Sequence, residues 1–174
     1  MFYFLELLEG VSDFMDLGGT ILSFLIALVA VMWTFIFERI WYYKGSLRTD
    51  KALILDTWEA RLERKSKSAH QVRAKYLSQI NMKIDQYLAL IKALIALAPL
   101  FGLLGTVTGM ITVFEVMAMT GGGDAKAMSS GVSMATIPTM AGMVAALSGV
   151  FGFTYLERLA KNEKQLMEDK MTMD

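Results

Sequence analysis

The chain has 174 residues, 55% of them hydrophobic, with a mean hydropathy of +0.44, above the roughly 45–50% apolar content of soluble domains. Its 17 basic and 17 acidic residues cancel, so no net charge points to nucleic acid or an acidic substrate. It has no cysteine, which excludes disulfides, thiol catalysis and thiolate metal sites. An all-α integral membrane protein is the class these numbers leave.

Residues 1–16 carry Glu6, Glu9, Asp13 and Asp16 but no Lys or Arg. A signal peptide needs a basic start, so the first apolar stretch is read as a retained span. Three stretches lack any charge: 17–37, 93–114 and 127–156, of 21, 22 and 30 residues. About 20 apolar residues cover the roughly 30 Å hydrocarbon core, so each is long enough to span. The start of the third, 127–131, is placed in the interface. Between them lie a loop at 38–92, a short loop at 115–126 containing Gly121-Gly122-Gly123-Asp124, and a tail at 157–174.

Lys and Arg number 12 in 38–92 and four in the tail, against one in 115–126 and none in 1–16. The positive-inside rule then puts the long loop and the tail in the cytoplasm and the N-terminus outside. Trp33, Trp41, Tyr42 and Tyr43 form an aromatic anchor at the inner interface.

The cytoplasmic segments read as helical extensions of the spans. Val72, Tyr76, Leu77, Ile80, Ile84, Tyr87, Leu88 and Ile91 recur at three- and four-residue steps. No Gly or Pro falls between residues 66 and 98, so one helix is expected over 71–114. A separate short helix is expected over 51–64, with breaks at Gly45-Ser46 and 65–68. Leu156, Leu159, Leu166 and Met167 carry the third span into the tail.

The first span is bulky throughout, a surface suited to lipid. In the second, Ala98, Gly102, Gly105 and Gly109 fall within about 60° on a helical wheel. In the third, Gly131, Ala135, Pro138, Gly142, Ala145 and Gly149 fall within about 80°. Small faces let membrane helices approach closely. Two such faces exceed what a three-helix bundle needs, which predicts a ring-shaped homo-oligomer; the alternative is a bundle packed on itself.

Opposite the small stripe of the third span lie Ser129, Ser133, Thr136, Thr139 and Thr154; the second span adds Thr106, Thr108 and Thr112. Thr106 lies about 21 Å above Lys92, and Thr139 about 27 Å from Glu157, at 1.5 Å per residue. Antiparallel spans therefore bring Thr106 and Thr139 within one turn of the same level, a candidate polar ring. Thr106, Thr139, Thr136 and Ser133 are the candidate ion-pathway residues.

No Asp, Glu, His, Lys or Arg lies inside any span; Glu38, Arg39, Lys92, Glu115, Lys126 and Glu157 border them and are read as interfacial anchors. A membrane proton path usually needs a titratable group at depth, so a partner helix must supply the acid. Enzyme chemistry has no footing: no His-Glu-x-x-His, no paired intramembrane aspartate, no Ser with a His base and no phosphate-cradling loop. No cofactor or metal is expected. His70 reads as a solvated side chain and the 14 methionines as apolar filler.

Ala98-Pro-Leu-Phe-Gly-Leu-Leu-Gly-Thr-Val-Thr-Gly-Met-Ile111 resembles the second-span signature of the ExbB, TolQ and MotA channel family, an Ala-Pro, a glycine-rich run and a Gly-Thr-Val before another Gly. Gly131-Val-Ser-Met-Ala-Thr-Ile-Pro-Thr-Met-Ala-Gly-Met-Val-Ala-Ala146 is similar to the third-span run of the same family. The three-span layout and the basic loop agree with it. The resemblance implies a homo-pentameric ring in the bacterial inner membrane around two single-span helices of an ExbD-type partner, whose membrane aspartate carries the proton. It implies a TonB-type protein as the load, with import of siderophore iron and vitamin B12 across the outer membrane. The family's pore-lining threonines map onto Thr106 and Thr139.

Two departures stand out. Family members of the ExbB and TolQ type carry a glutamate five residues before the third-span threonine, where this chain has Met134, and Pro138 directly before Thr139 is unusual. The chain is short for TolQ and lacks the very large loop of MotA, which favours the ExbB branch. A TolQ-like envelope motor, a MotA-like flagellar load and a passive scaffold are the alternatives.

Overall fold

The computed structural model describes the backbone of residues 2–61, 63–120 and 125–172, and the side chains of 19–61, 63–119, 129, 131–133 and 135–172. Five helices follow in order: α1 Phe2–Lys44, α2 Ser46–Glu59, α3 Lys67–Asp85, α4 Leu88–Thr120 and α5 Ala125–Lys170. No strand occurs among the described residues. Three helical stretches are long and apolar enough to cross a membrane, within Gly19–Lys44, Lys67–Met119 and Gly131–Lys170. α1 is interrupted at Gly19, whose φ of 60° and ψ of −161° lie where only glycine is at ease. The Gly121–Asp124 loop lies outside the described residues.

The chain divides into two units, Met1–Met32 with Ala93–Val150, and Trp33–Lys92 with Phe151–Asp174. In the first, α4 and α5 run antiparallel with their backbones close. A methyl added at Gly102 would lie 2.9 Å from the Pro138 carbonyl oxygen; at Gly109, 2.7 Å from Ala135 Cα; at Gly142, 2.7 Å from the Ala98 carbonyl oxygen; at Gly131, against Val113. Leu22 and Leu25 of α1 are buried with Ala98, and Leu28, Phe101, Ala141, Ala145 and Ala146 pack around them. Phe24, Ile26, Val31, Leu100, Leu103, Val107, Ile111 and Phe114 stay exposed, a bulky apolar surface of the kind hydrocarbon accepts.

α1 is therefore not lipid-facing all round. Ile21 lies against Gly105, and Met32 against Gly149; the three- and four-residue helical repeat turns Leu22, Leu25 and Met32 inward. Bulk in the sequence hid a face because large apolar residues fall on every side of that span.

In the second unit, Ile36, Leu47, Trp58, Ile80, Ile84, Ile91, Leu156, Met167 and Met171 are buried. Trp58 donates its indole N–H to the Thr172 carbonyl at 3.1 Å, and Lys51 pairs with Glu163. Arg73 donates to the carbonyls of Met171 at 2.7 Å and Glu168 at 2.9 Å, satisfying acceptors that a helix C-terminus leaves without a partner. Ser66 caps α3 by accepting from the Ala69 N–H at 3.2 Å.

Two sequence expectations change here. The helix expected over 51–64 runs instead from Ser46 to Glu59. Arg64 folds back, its guanidinium donating to the Glu59 carbonyl at 2.7 Å, so it caps α2 rather than continuing it. The helix expected over 71–114 is broken at Gln86 and Tyr87, where ψ of Gln86 reaches 131° and φ of Tyr87 is 65°. The carbonyls freed at the end of α3 take side chains of α1 instead: Arg39 donates to Lys83 at 3.3 Å and Tyr43 to Ile84 at 2.7 Å.

Candidate ion-pathway residues and related proteins

The geometry around Thr139 follows from the glycines opposite it. Gly102 lets α5 come so close that an added methyl would sit 3.0 Å from Thr139 Cα. At that approach the half-buried Thr139 hydroxyl leaves its own helix and donates to the Gly102 carbonyl of α4 at 2.9 Å. Pro138 fills the space beside Gly105, its Cγ 2.8 Å from where a methyl would be.

Thr106, Thr108, Thr112 and Thr136 bond within their own helices, as membrane Ser and Thr commonly do. Thr106, half-buried one turn along α4 from Gly102, donates to Leu103 at 2.7 Å. Thr108 donates to Leu104 at 3.1 Å and Gly105 at 3.0 Å, and Thr112 to Thr108 at 3.2 Å. Thr136 donates to Val132 and Ser133, both at 3.2 Å, and Thr136, Ser133 and Ser129 are exposed on α5. Thus Thr139 is held against α4 within one turn of Thr106, while Thr136 and Ser133 face outward. Among the described residues no hydrogen bond joins Thr106 to Thr139. The side chain of Met134 lies outside the described residues.

The small residues are placed as follows. Ala98, Gly102, Gly105 and Gly109 of α4 meet Gly142, Thr139, Pro138 and Ala135 of α5, and Gly131 meets Val113. Ala145 packs by the Leu22, Leu25 and Ala98 cluster, and Gly149 receives Met32 and Ile95. This corrects the argument from surplus small faces to a ring: the two stripes meet each other inside one chain, because antiparallel α4 and α5 share one register.

One polar feature escaped the sequence reading. Arg39, taken for an interfacial anchor, is 2% exposed. Its Nε lies 2.6 Å from Glu38, and its guanidinium stacks over Tyr42 at 4.7 Å and Tyr87 at 4.9 Å. Arg39 with Tyr42 and Tyr43 at three- and four-residue spacing was the available signal, since arginine stacks on aromatic faces. Nearby, Asp50 accepts from Lys83 at 2.9 Å and from the Tyr42 hydroxyl at 2.9 Å. The hydrogen bond from Lys83, helped by that from Tyr42 and opposed by burial, holds its carboxyl below the usual carboxylate range. Among the described residues no group of three His, Asp or Glu could hold a metal ion.

Three apolar helices, a close antiparallel pair among them, fit a multi-pass membrane protein, and comparison with known proteins agrees. The MotA/TolQ/ExbB proton channel family profile matches residues 48–169. The ExbB-like 1 biopolymer transport protein of Synechocystis sp. is 28% identical over 178 residues, 84% of this chain and 70% of that protein. The biopolymer transport protein ExbB of Helicobacter pylori is 32% identical over 82 residues, 47% of this chain and 57% of that protein. A second Synechocystis protein, ExbB-like 3, is 30% identical over 89 residues, 47% of this chain and 42% of that protein. The match takes in both helices of the Gly102–Thr139 seam, and the chain belongs to the MotA/TolQ/ExbB proton channel family, of the ExbB type.

Proposed function

We propose that this chain is the proton-channel subunit of a TonB-type energy-transducing complex in a bacterial inner membrane, working with a single-span, ExbD-type partner. The observation that carries the reading is a proton-channel family match on spans that contain no Asp, Glu, His, Lys or Arg of their own. A protein that moves protons without an intramembrane acid needs one from elsewhere, and a partner's membrane aspartate supplies it. The partner helix stands beside the face of α5 that exposes Ser133 and Thr136 and near the half-buried Thr106 and Thr139. Hydroxyls there donate and accept as the carboxyl exchanges its proton, and the Thr139 bond to Gly102 fixes the position of α5 against α4. Several copies form a ring around that partner through the exposed apolar faces rather than the small stripes. The N-terminus lies in the periplasm and the basic loop and tail in the cytoplasm. TonB-dependent import of siderophore iron and vitamin B12 is the load favoured by the ExbB names of the relatives, over a Tol-type or flagellar one. A passive scaffold for the complex, lining no pathway, is the second reading, favoured by the hydroxyls of Thr106 and Thr136 being tied to their own helices.

Affinity purification of the chain from its own membranes, with mass spectrometry of its companions, tests the reading. A single-span protein with a membrane aspartate, together with a TonB-type protein, is expected. A chain recovered alone in mild detergent would remove the shared-channel mechanism.

A further inference from the structure

We infer that the joint between α3 and α4 is a two-state hinge, broken here because the end of α1 occupies it, with a second state in which α3 and α4 run on as one helix. The break places Tyr87 at φ 65°, a left-handed conformation disfavoured for any residue with a Cβ. Local sequence does not require it, since residues 66–98 contain neither Gly nor Pro.

What stabilises the break comes from more than forty positions away. Ending α3 at Asp85 leaves the carbonyls of its last turn without helical donors. Lys83 and Ile84 receive instead the Arg39 guanidinium at 3.3 Å and the Tyr43 hydroxyl at 2.7 Å. Tyr87 is held by Phe35, ring centres 5.4 Å apart, and by the Arg39 cation 4.9 Å above it. On the other side, the first backbone bond of α4 runs from the Ile91 N–H to the Tyr87 carbonyl at 2.9 Å. In a merged helix the amides of residues 87–90 donate to the carbonyls of 83–86. Lys83 and Ile84 are thus claimed by two sets of donors, α1 side chains in one state and α4 amides in the other. A carbonyl oxygen can accept two hydrogen bonds, so it is the Tyr87 backbone, left-handed in one state and helical in the other, that makes the arrangements exclusive, and the α1 donors bias the population between them.

Hydrogen exchange by mass spectrometry on the full chain, in nanodiscs with its co-purified partners, reads the hinge directly. The peptide covering residues 86–91 is expected to exchange fast in the parent protein. Arg39→Met with Tyr43→Phe removes both α1 donors; two such bonds shift the equilibrium toward the merged helix by about tenfold or more, so the protected population of that peptide should rise by about that factor and its exchange should slow. Adding Tyr87→Gly, which relieves the left-handed residue, should restore fast exchange. Tyr43→Phe alone, a loss of one oxygen, should slow it by a smaller factor and is read in parallel. Unchanged exchange at 86–91 in Tyr43→Phe and in the double variant would overturn the hinge.

Discussion

Gly105→Ala measures the α4–α5 seam most directly. The added methyl would press on the Cβ of Pro138, lie 2.8 Å from its Cγ and 3.5 Å from Ile21 Cγ2. Carbon atoms settle about 3.5–4.0 Å apart, and the proline ring is fixed to its backbone, so the helices must part by about 1 Å. Overpacking of this kind costs about 1–3 kcal/mol, and the better helix propensity of alanine returns about 1 kcal/mol. The methyl meets the Pro138 Cβ more closely still, so the upper part of the overpacking range, about 2–3 kcal/mol, applies and a net loss of about 1–2 kcal/mol follows. Pro138→Gly removes both clashing atoms, so the double variant should recover most of it, a coupling of about 1–2 kcal/mol. At Gly109 the outcome differs, because the clash is with the Ala135 backbone, 2.7 Å from Cα and 2.8 Å from N. There Ala135→Gly should not rescue Gly109→Ala. The chain has no cysteine, so a single Ala141→Cys reporter, half-buried in the seam, allows the thermal midpoint of maleimide labelling to be read for each variant. A neutral Gly105→Ala, or equal rescue at both positions, would refute the register.

Trp58→Ala should cost about 3–5 kcal/mol by emptying a site 1% exposed and removing the bond to Thr172; thermal unfolding with protease cleavage after α2 checks it. Thr139→Val should lose about 0.5–1 kcal/mol with the Gly102 bond and should lower siderophore-dependent growth with complex assembly intact. Normal growth of that variant would take Thr139 out of the pathway. Thr136→Val, exposed and bonded only to its own helix, should leave the unfolding midpoint unmoved while lowering growth. The lowered Asp50 pKa means that its bonds to Lys83 and Tyr42 stabilise the fold above the unfolded-state value of about 3.9. That contribution is lost only as pH falls through the folded value, and Asp50→Asn should abolish this acid-side loss in a pH series of unfolding midpoints.

The spans were legible because charge is absent from them and concentrated between them. The small faces were legible as faces, since Gly102, Gly105 and Gly109 share one side of a helix. Their partner was not, because periodicity gives a side and never says what stands opposite. The break at Tyr87 was invisible for a different reason: its cause lies in Arg39 and Tyr43, and no local residue announces it. Arg39 was hard to place because a cation at the end of a span usually snorkels to water, whereas here the rings of Tyr42 and Tyr87, the Glu38 carboxylate and the Lys83 carbonyl enclose it. The early end of α2 at Glu59 comes from a single side chain, Arg64, turning back to cap it.

The chain should carry protons only with an acid from a partner. Proton uptake into liposomes, read with a pH-sensitive dye under an imposed membrane potential, tests it. The chain reconstituted with its co-purified single-span partner should conduct, and the chain alone, or with the partner's membrane aspartate changed to asparagine, should not. Equal conduction by the chain alone would contradict the account, since its own hydroxyls would then suffice.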